Sequence, residues 1–592
     1  MKKTISYCFV LSLTLLLSCK KSSNGGDDGG GGNPGGGGGN GGGGTVTPTD
    51  PATENTIGFF LDNWTPKNFT VPEYKDTAQP SANATTFVTI DASKIITKVP
   101  SAVFGHNANL WMSQMVTEAP LMNHIKNLKP NIIRFPGGSI SDVYFWNAEI
   151  GKPPANAPSM LLDASGNPLK DNQGNIIINP YWYGKNNDSW TISLDNYYNV
   201  LAQTGNQGMI TVNYGYARYG TGPNPVAQAA HLAADWVRYD NGRTKYWEIG
   251  NECNGTWEAG YRINTAANQD GQPAIVTGAL YGQHVKVFVD SMKKAAQEIG
   301  KTIYIGAYLL EKQPEAWQTP TDQSWNTGVV SQSANKADYY VIHSYYTPYQ
   351  TNANADLILN SASTGTSSMM NYMKANITAN GGTVKPIALN EWNIFSTGSM
   401  QQVSYINGMH AAILLGEALT NKYGMTSRWD FANGWDNGND HGLFNNGDEP
   451  GGVSKWNPRP AFYYMYYFQK MLGDRSIPTT VNGSGVMAYA SSFTSGEKGV
   501  ILVNKNTSAQ TVQLTLQNFT AGSRFYWYTL TGGTDNGEFS RKVFVNGKGP
   551  NEPTGGPATE YTTLKAYSAT TSSGVKVGMP PRSVVYLVMD KQ

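Results

Sequence analysis

Charge is scarce in this 592-residue chain, with charged residues at 14% and a formal net charge of +1. That balance excludes the dense basic surface by which proteins grip nucleic acid. Cysteine is scarcer still: Cys8, Cys19 and Cys253 are the only three, too few for a disulfide framework. No GxGxxG or P-loop motif stands between a strand and a helix, so no nucleotide cofactor is expected. Asp436, Asn437, Asn439 and Asp440 offer oxygen ligands, but their spacing is not that of an EF-hand; a polar turn is expected there, and no metal. Aromatic residues, by contrast, are plentiful, with 15 Trp and 34 Tyr. Most should pack cores, while flat rings left at a surface suit the apolar C–H faces of sugars.

The first residues do not belong to a fold. Lys2 and Lys3 precede an apolar run from Phe9 to Leu17, too short to cross a bilayer, which stops at Leu16-Leu17-Ser18-Cys19. This resembles a bacterial lipoprotein signal, residues 1–18. The resemblance implies cleavage before Cys19, lipid on its sulfur, and a chain anchored to a cell membrane facing the periplasm or the cell surface. Cys8 would leave with the signal, so Cys253 would be the one remaining thiol and no internal disulfide could form. Residues 19–54 then hold the lipidated Cys19 and a tether almost wholly glycine from Gly25 to Gly44. Such a stretch has nothing to bury and gives reach.

Beyond it, residues 55–101 form a segment whose alternating Phe87-Val88-Thr89-Ile90 reads as a strand. Eight short apolar runs follow, at Val103–Asn107, Asn131–Phe135, Met209–Asn213, Tyr246–Ile249, Thr302–Ile305, Tyr339–His343, Ile387–Leu389 and Ser427–Phe431. Amphipathic stretches such as Tyr281–Glu298 and Val403–Asn421 separate them, so residues 102–478 read as an α/β fold, a (β/α)8 TIM barrel. Residues 479–592 change pattern: strands at Val486–Tyr489, Gly499–Val503 and Val584–Leu587 succeed one another without helices, predicting an accessory C-terminal β-sandwich. By analogy with other barrel enzymes, the segment around Phe87 joins that sandwich. A long insertion from Ser139 to Ile192 follows the second strand and belongs to the barrel's catalytic face.

Catalytic groups of such barrels sit where strands end. Glu252 ends the fourth run and Glu391 the seventh, on opposite sides of the mouth. Two carboxyl groups facing each other are what glycoside hydrolysis needs, one to protonate the leaving group and one to attack. Glu248, four residues before Glu252, shares its parity but sits deeper and reads as structural.

The motifs Arg134-Phe135-Pro136-Gly137-Gly138, Met209 to Gly215, Lys245 to Glu252 and Asn390-Glu391-Trp392-Asn393 resemble, in order, the α-L-arabinofuranosidases of glycoside hydrolase family 51 in clan A. That resemblance implies a retaining double displacement with Glu252 as acid/base, Glu391 as nucleophile and no cofactor. The substrate would be a plant or algal polysaccharide or an oligosaccharide cut from one. Asn251 matches the asparagine that contacts the sugar 2-hydroxyl, and Arg134 the clan's arginine, whose charge should hold Glu391 ionised. A Glu391 carboxylate should in turn raise the pKa of Glu252. His343, Tyr345 and Tyr346 end the sixth run, and either tyrosine could orient Glu391. Trp435, or Trp429, could floor a sugar subsite, and Asn213 and His106 are further sugar contacts. One departure bears on substrate: the family carries a glutamate after strand one, where this chain reads His106 to Trp111 without an acidic residue. Two other readings therefore stand beside the first, an endo-acting β-glycanase on the same barrel and a catalytically inactive glycan-binding surface lipoprotein.

Overall fold

The computed structural model describes residues 48–333, 336–435 and 441–592. The expected signal segment, Cys19 and the Gly25–Gly44 tether lie outside the described residues, as do residues 436–440, where a polar turn is expected.

Each of the eight apolar runs becomes one strand of a closed parallel barrel. In chain order these are β1 (Gly105–Asn107), β2 (Ile132–Phe135), β3 (Gln207–Val212), β4 (Thr244–Ile249), β5 (Tyr304–Tyr308), β6 (Tyr339–Tyr345), β7 (Ile387–Asn393) and β8 (Met425–Arg428). The ring closes where Ser427 pairs with Gly105 and Arg428 with His106. Eight helices alternate with the strands: α1 (Ala119–Leu128), α2 (Leu194–Thr204), α3 (Pro225–Asp240), α4 (Gly278–Glu298), α5 (Pro320–Ser333), α6 (Ala355–Ala379), α7 (Tyr405–Thr420) and α8 (Pro460–Met471). The barrel strands are buried on both faces, which is why they read as unbroken apolar runs rather than alternating ones. Several helices begin at side-chain caps: Ser193, Thr277, Asn354 and Ser404 each accept a hydrogen bond from an N–H of the first turn. The (β/α)8 barrel is thus present as the sequence predicts.

The accessory sandwich draws on both ends of the described chain. Its smaller sheet orders Thr479–Asn482, Thr86–Asp91, Gln510–Gln517 and Val575–Met579. Thr86–Asp91 pairs in parallel with Gln510–Gln517. The larger sheet centres on Ala521–Gly532, Ser583–Lys591 and Lys498–Asn504. Val88, Ile90, Val512, Val577, Phe525 and Leu587 fill the space between the sheets. The sandwich abuts the barrel at α7, where the Tyr489 ring lies so close to Gly416 that a Cβ there would come within 2.4 Å of it. The Tyr489 hydroxyl donates to Glu417 at 2.9 Å. Among the described residues no helix is long and apolar enough to cross a membrane.

Candidate active site

Two neighbouring strand ends are first locked together by a buried acid. Asp142, just past β2, accepts hydrogen bonds from the backbone N–H groups of Tyr214, Gly215 and Asn251, each at 3.0 Å. The chain leaves β4 through Gly250, whose φ of +69° favours glycine. A Cβ there would also lie 2.4 Å from the Cys253 sulfur and 2.6 Å from the Tyr214 Cβ. This turn delivers Asn251 and Glu252 to the mouth of the barrel.

Across the mouth, β7 does something a regular strand cannot. Strict alternation would send Asn390 and Glu391 to opposite faces. The β6–β7 register shifts between Ile342 and His343, and the β7–β8 register between Leu389 and Trp392. With alternation broken there, Asn390 donates to Glu248 at 2.9 Å while Glu391 meets Arg134 at 3.0 Å.

Arg134 organises the floor. Its guanidinium, fully buried, donates to Glu248 at 2.8 Å, Asn107 at 2.9 Å, Glu391 at 3.0 Å and the Asn251 side-chain oxygen at 2.8 Å. It therefore binds strand ends from β1, β4 and β7 at once. Burial works against its charge, but Glu248 and Glu391 more than compensate and raise its pKa. Glu248 also accepts from Thr211 at 2.8 Å. Burial would push its carboxyl up, yet Arg134 and then His343 hold it down at about 2.

The two carboxylates of the expected pair lie above this floor. Glu252, Glu391 and His343 bring one ligand atom each to within 4.8 Å of one another. Retaining glycosidases separate their carboxyl groups by about 5–5.5 Å and inverting ones by about 6.5–9.5 Å, so the spacing is of the retaining kind. His343 Nδ1 lies 2.9 Å from Glu252 and 3.7 Å from Glu391. Burial alone would lower the pKa of this histidine, but Glu391, Glu248 and Glu252 around it lift it to about 10. The Tyr345 hydroxyl donates to Glu391 at 2.7 Å, and its ring stacks on Phe395. Tyr345 is thus the tyrosine that orients this carboxylate. The balance at Glu391 differs from the sequence-based expectation. Burial, joined by like-charge repulsion from Glu252, raises its pKa in the free cleft, and His343, Arg134 and Tyr345 offset this only in part. The same three residues, Glu252, His343 and Glu391, have the spacing of a metal-ligand group. Arg134, 3.0 Å from Glu391, already supplies cationic charge beside this donor set.

Other expected contacts are placed elsewhere. The Tyr346 hydroxyl bonds Thr366 on α6, away from the carboxylates. His106 is fully buried, stacked on Phe431 at 5.1 Å, and burial drives its pKa well below the ordinary value, so it is a neutral packing residue and not a sugar ligand. Asn213 is occupied within its own loop, receiving the Tyr216 N–H at 2.8 Å and donating to Tyr219 at 3.1 Å. The Trp435 ring sits under the Arg541 guanidinium, and its backbone N–H donates to Asp448. Trp429 lies closer to the Arg134 loop: a Cβ on Gly138 would come 2.9 Å from its ring. Sequence reasoning missed Asp142, Asn107, Asn390 and Glu258. Glu258 accepts from Ser139 at 2.7 Å and from the Asn251 amide at 3.0 Å, and burial with the nearby Asp142 pushes its pKa well up. Asn107 and Asn390 could have been found as polar residues near strand ends of the barrel.

The depressed pKa of Glu248 carries a stability prediction. The folded protein binds fewer protons at this site than the unfolded chain between about pH 4.5 and 2, so stability falls as pH drops through that window. Thermal melts should show wild type well above Glu248→Gln at pH 6, with the gap narrowing steadily towards pH 3. A gap independent of pH would contradict the ion pairing.

Residues 124–363 match the family model described as alpha-L-arabinofuranosidase 1 domain. The matched stretch runs from α1 to α6; it includes Arg134, Asn251, Glu252 and His343 and ends before Glu391. Among solved structures, the chain is similar to an alpha-L-arabinofuranosidase from Thermotoga maritima, with 16% identity and a TM-score of 0.58 over 85% of this chain and 99% of that one. A bifunctional glucanase-xylanase from a metagenome library aligns at 14% identity and a TM-score of 0.53, over 86% and 100%. A Paenibacillus polymyxa xyloglucanase of glycoside hydrolase family 44 aligns at 10% and 0.51, again over 86% and 100%. At such identities the likeness is one of fold. No curated protein matches the chain.

Proposed function

We propose that this retaining glycoside hydrolase removes α-L-arabinofuranosyl units from plant or algal polysaccharide, with Glu391 as nucleophile and Glu252 as acid/base. The observation that carries the reading is the pair of carboxylate oxygens within 4.8 Å of each other at the ends of β4 and β7. The family-model match over residues 124–363 supports the choice of sugar.

In the first step Glu252 gives its proton to the bridging oxygen as Glu391 attacks the anomeric carbon, forming a glycosyl ester and freeing the leaving group. His343 Nδ1, 2.9 Å from Glu252, holds that carboxyl group in position. The Glu391 carboxylate is oriented for attack by the Tyr345 hydroxyl on Oε1 and by Arg134 on Oε2. In the second step Glu252 takes a proton from water, which attacks the anomeric carbon and breaks its bond to Glu391, releasing the carboxylate. Asn251, with its side-chain oxygen on Arg134 and its amide on Glu258, is fixed to bond the 2-hydroxyl. Such a contact strengthens as the ring flattens in the transition state. Trp435 or Trp429 is the proposed floor of that subsite. An amino-terminal lipid on Cys19 and a glycine tether would hold the enzyme at a membrane within reach of a polymer.

A second reading, an endo-acting β-glycanase, is favoured by the missing acidic residue after β1 and by the likeness to a glucanase-xylanase and a xyloglucanase. Product analysis decides between them: single pentoses support the first reading, and ladders of oligosaccharides reject it. Glu252→Gln tests the acid/base role. Its kcat should fall about 10²–10⁴-fold on substrates with poor leaving groups and much less on dinitrophenyl glycosides, which leave unaided. Equal losses on both, or no loss on either, would contradict the assignment and in the latter case revive an inactive glycan-binding role.

A further inference from the structure

Resting on the hydrolase reading, we propose that Trp257 and Trp317 form a platform on the leaving-group side of the cleft that stacks the pyranose backbone of a polysaccharide. A proton donor has to touch the bridging oxygen, so the rim beside Glu252 and away from Glu391 faces the part of the substrate that departs. Trp257 stands there. The Gly255 N–H donates to the Glu252 carbonyl at 2.7 Å and the Glu258 N–H to the Gly255 carbonyl at 3.0 Å, winding the segment tightly. Glu258 in turn holds the Asn251 amide at 3.0 Å, so the Trp257 backbone is fixed beside the sugar-binding asparagine.

Trp317 lies on the next loop of the same rim, between β5 and α5. The two loops are tied together. Asn254 donates to Asp322 at 2.6 Å, and the other Asp322 oxygen receives the backbone N–H and the hydroxyl of Thr319 at 3.1 and 2.8 Å. Both indoles are nonetheless left to solvent, at 65% and 83% exposure the most exposed tryptophans among the described residues. The Trp257 ring is shelved: a Cβ on Gly255 would lie 2.6 Å from its Cε2 atom, so only glycine lets the ring rest against the backbone with its other face open. A fixed ring with one free face, five residues after the proton donor, matches the flat C–H face of a pyranose rich in equatorial hydroxyls, as in a xylan or glucan backbone. On this view the arabinofuranosyl unit occupies the carboxylate site while the backbone that carried it rests on the indoles.

The test compares a polysaccharide with a 4-nitrophenyl glycoside, whose small leaving group does not reach the platform. Trp257→Ala and Trp317→Ala should each lower the ratio of polymer to aryl-glycoside kcat/KM by about tenfold, mainly through KM for the polymer. Gly255→Val, which lifts the ring, should shift the ratio the same way. A general disturbance of the site would lower both activities together, and a ratio within about twofold of wild type in all three variants overturns the proposal. Should wild type cleave no glycoside, the hydrolase reading fails first, and affinity electrophoresis through soluble xylan and glucan becomes the readout. Retardation lost in Trp257→Ala then supports the platform; retardation kept, or none in wild type, overturns it.

Discussion

Glu391→Ala should abolish turnover, by about 10⁴-fold or more, because no other group can form the glycosyl ester that divides the reaction into two steps. Azide added to this variant should restore part of the activity, entering the space left by the carboxylate and giving a glycosyl azide of inverted configuration. The geometry supports both halves of that expectation. Glu391 is fixed by Arg134 at 3.0 Å and Tyr345 at 2.7 Å, so its loss leaves a cavity bordered by donors that suit a small anion. Glu252 remains to protonate the leaving group. Chromatography and NMR of the product with and without azide provide the check, and a variant that azide cannot rescue with any activated glycoside would weaken the nucleophile assignment.

The second large effect is expected at Arg134. Among the described residues, Arg134→Ala removes the only cation within 4.0 Å of Glu248 other than His343, and Glu248 is fully buried. Breaking a buried pair in this way costs on the order of 3–5 kcal/mol, because the partner charge is left without compensation. Arg134→Lys should not repair it: one ammonium cannot serve Glu248, Asn107, Glu391 and Asn251 in the geometry of a planar fork. Equilibrium unfolding in urea measures the loss, and adding Glu248→Gln to Arg134→Ala should recover part of it. Activity should vanish in both single variants. A fully stable Arg134→Ala enzyme would contradict the role given to this residue.

These two residues also mark where sequence reasoning reached and where it stopped. The barrel was legible because strands buried on both faces leave unbroken apolar runs, and all eight runs became barrel strands. Glu252 and Glu391 were legible because each closes such a run beside asparagine. The fourfold bonding of Arg134 was not, since its partners come from positions 107, 248, 251 and 391 and meet only when the barrel closes. Tyr345 and Tyr346 could not be told apart for a related reason: the register shift after Ile342 decides which side of β6 faces Glu391, and a shift of one residue leaves no local mark. His106 misled because a polar residue near a strand end suggested a ligand, whereas its ring turns to stack on Phe431. The raised pKa of Glu391 came from burial, a quantity that only packing determines.

The central claim is that two carboxylates hold one anomeric centre between them and act in sequence. Proton NMR of the first sugar released from a cleaved glycoside reads this directly, before mutarotation mixes the anomers. Two successive displacements return the configuration of the substrate, and that anomer is the expected first product. Appearance of the opposite anomer would mean a single displacement by water, which would contradict the roles proposed for Glu252 and Glu391.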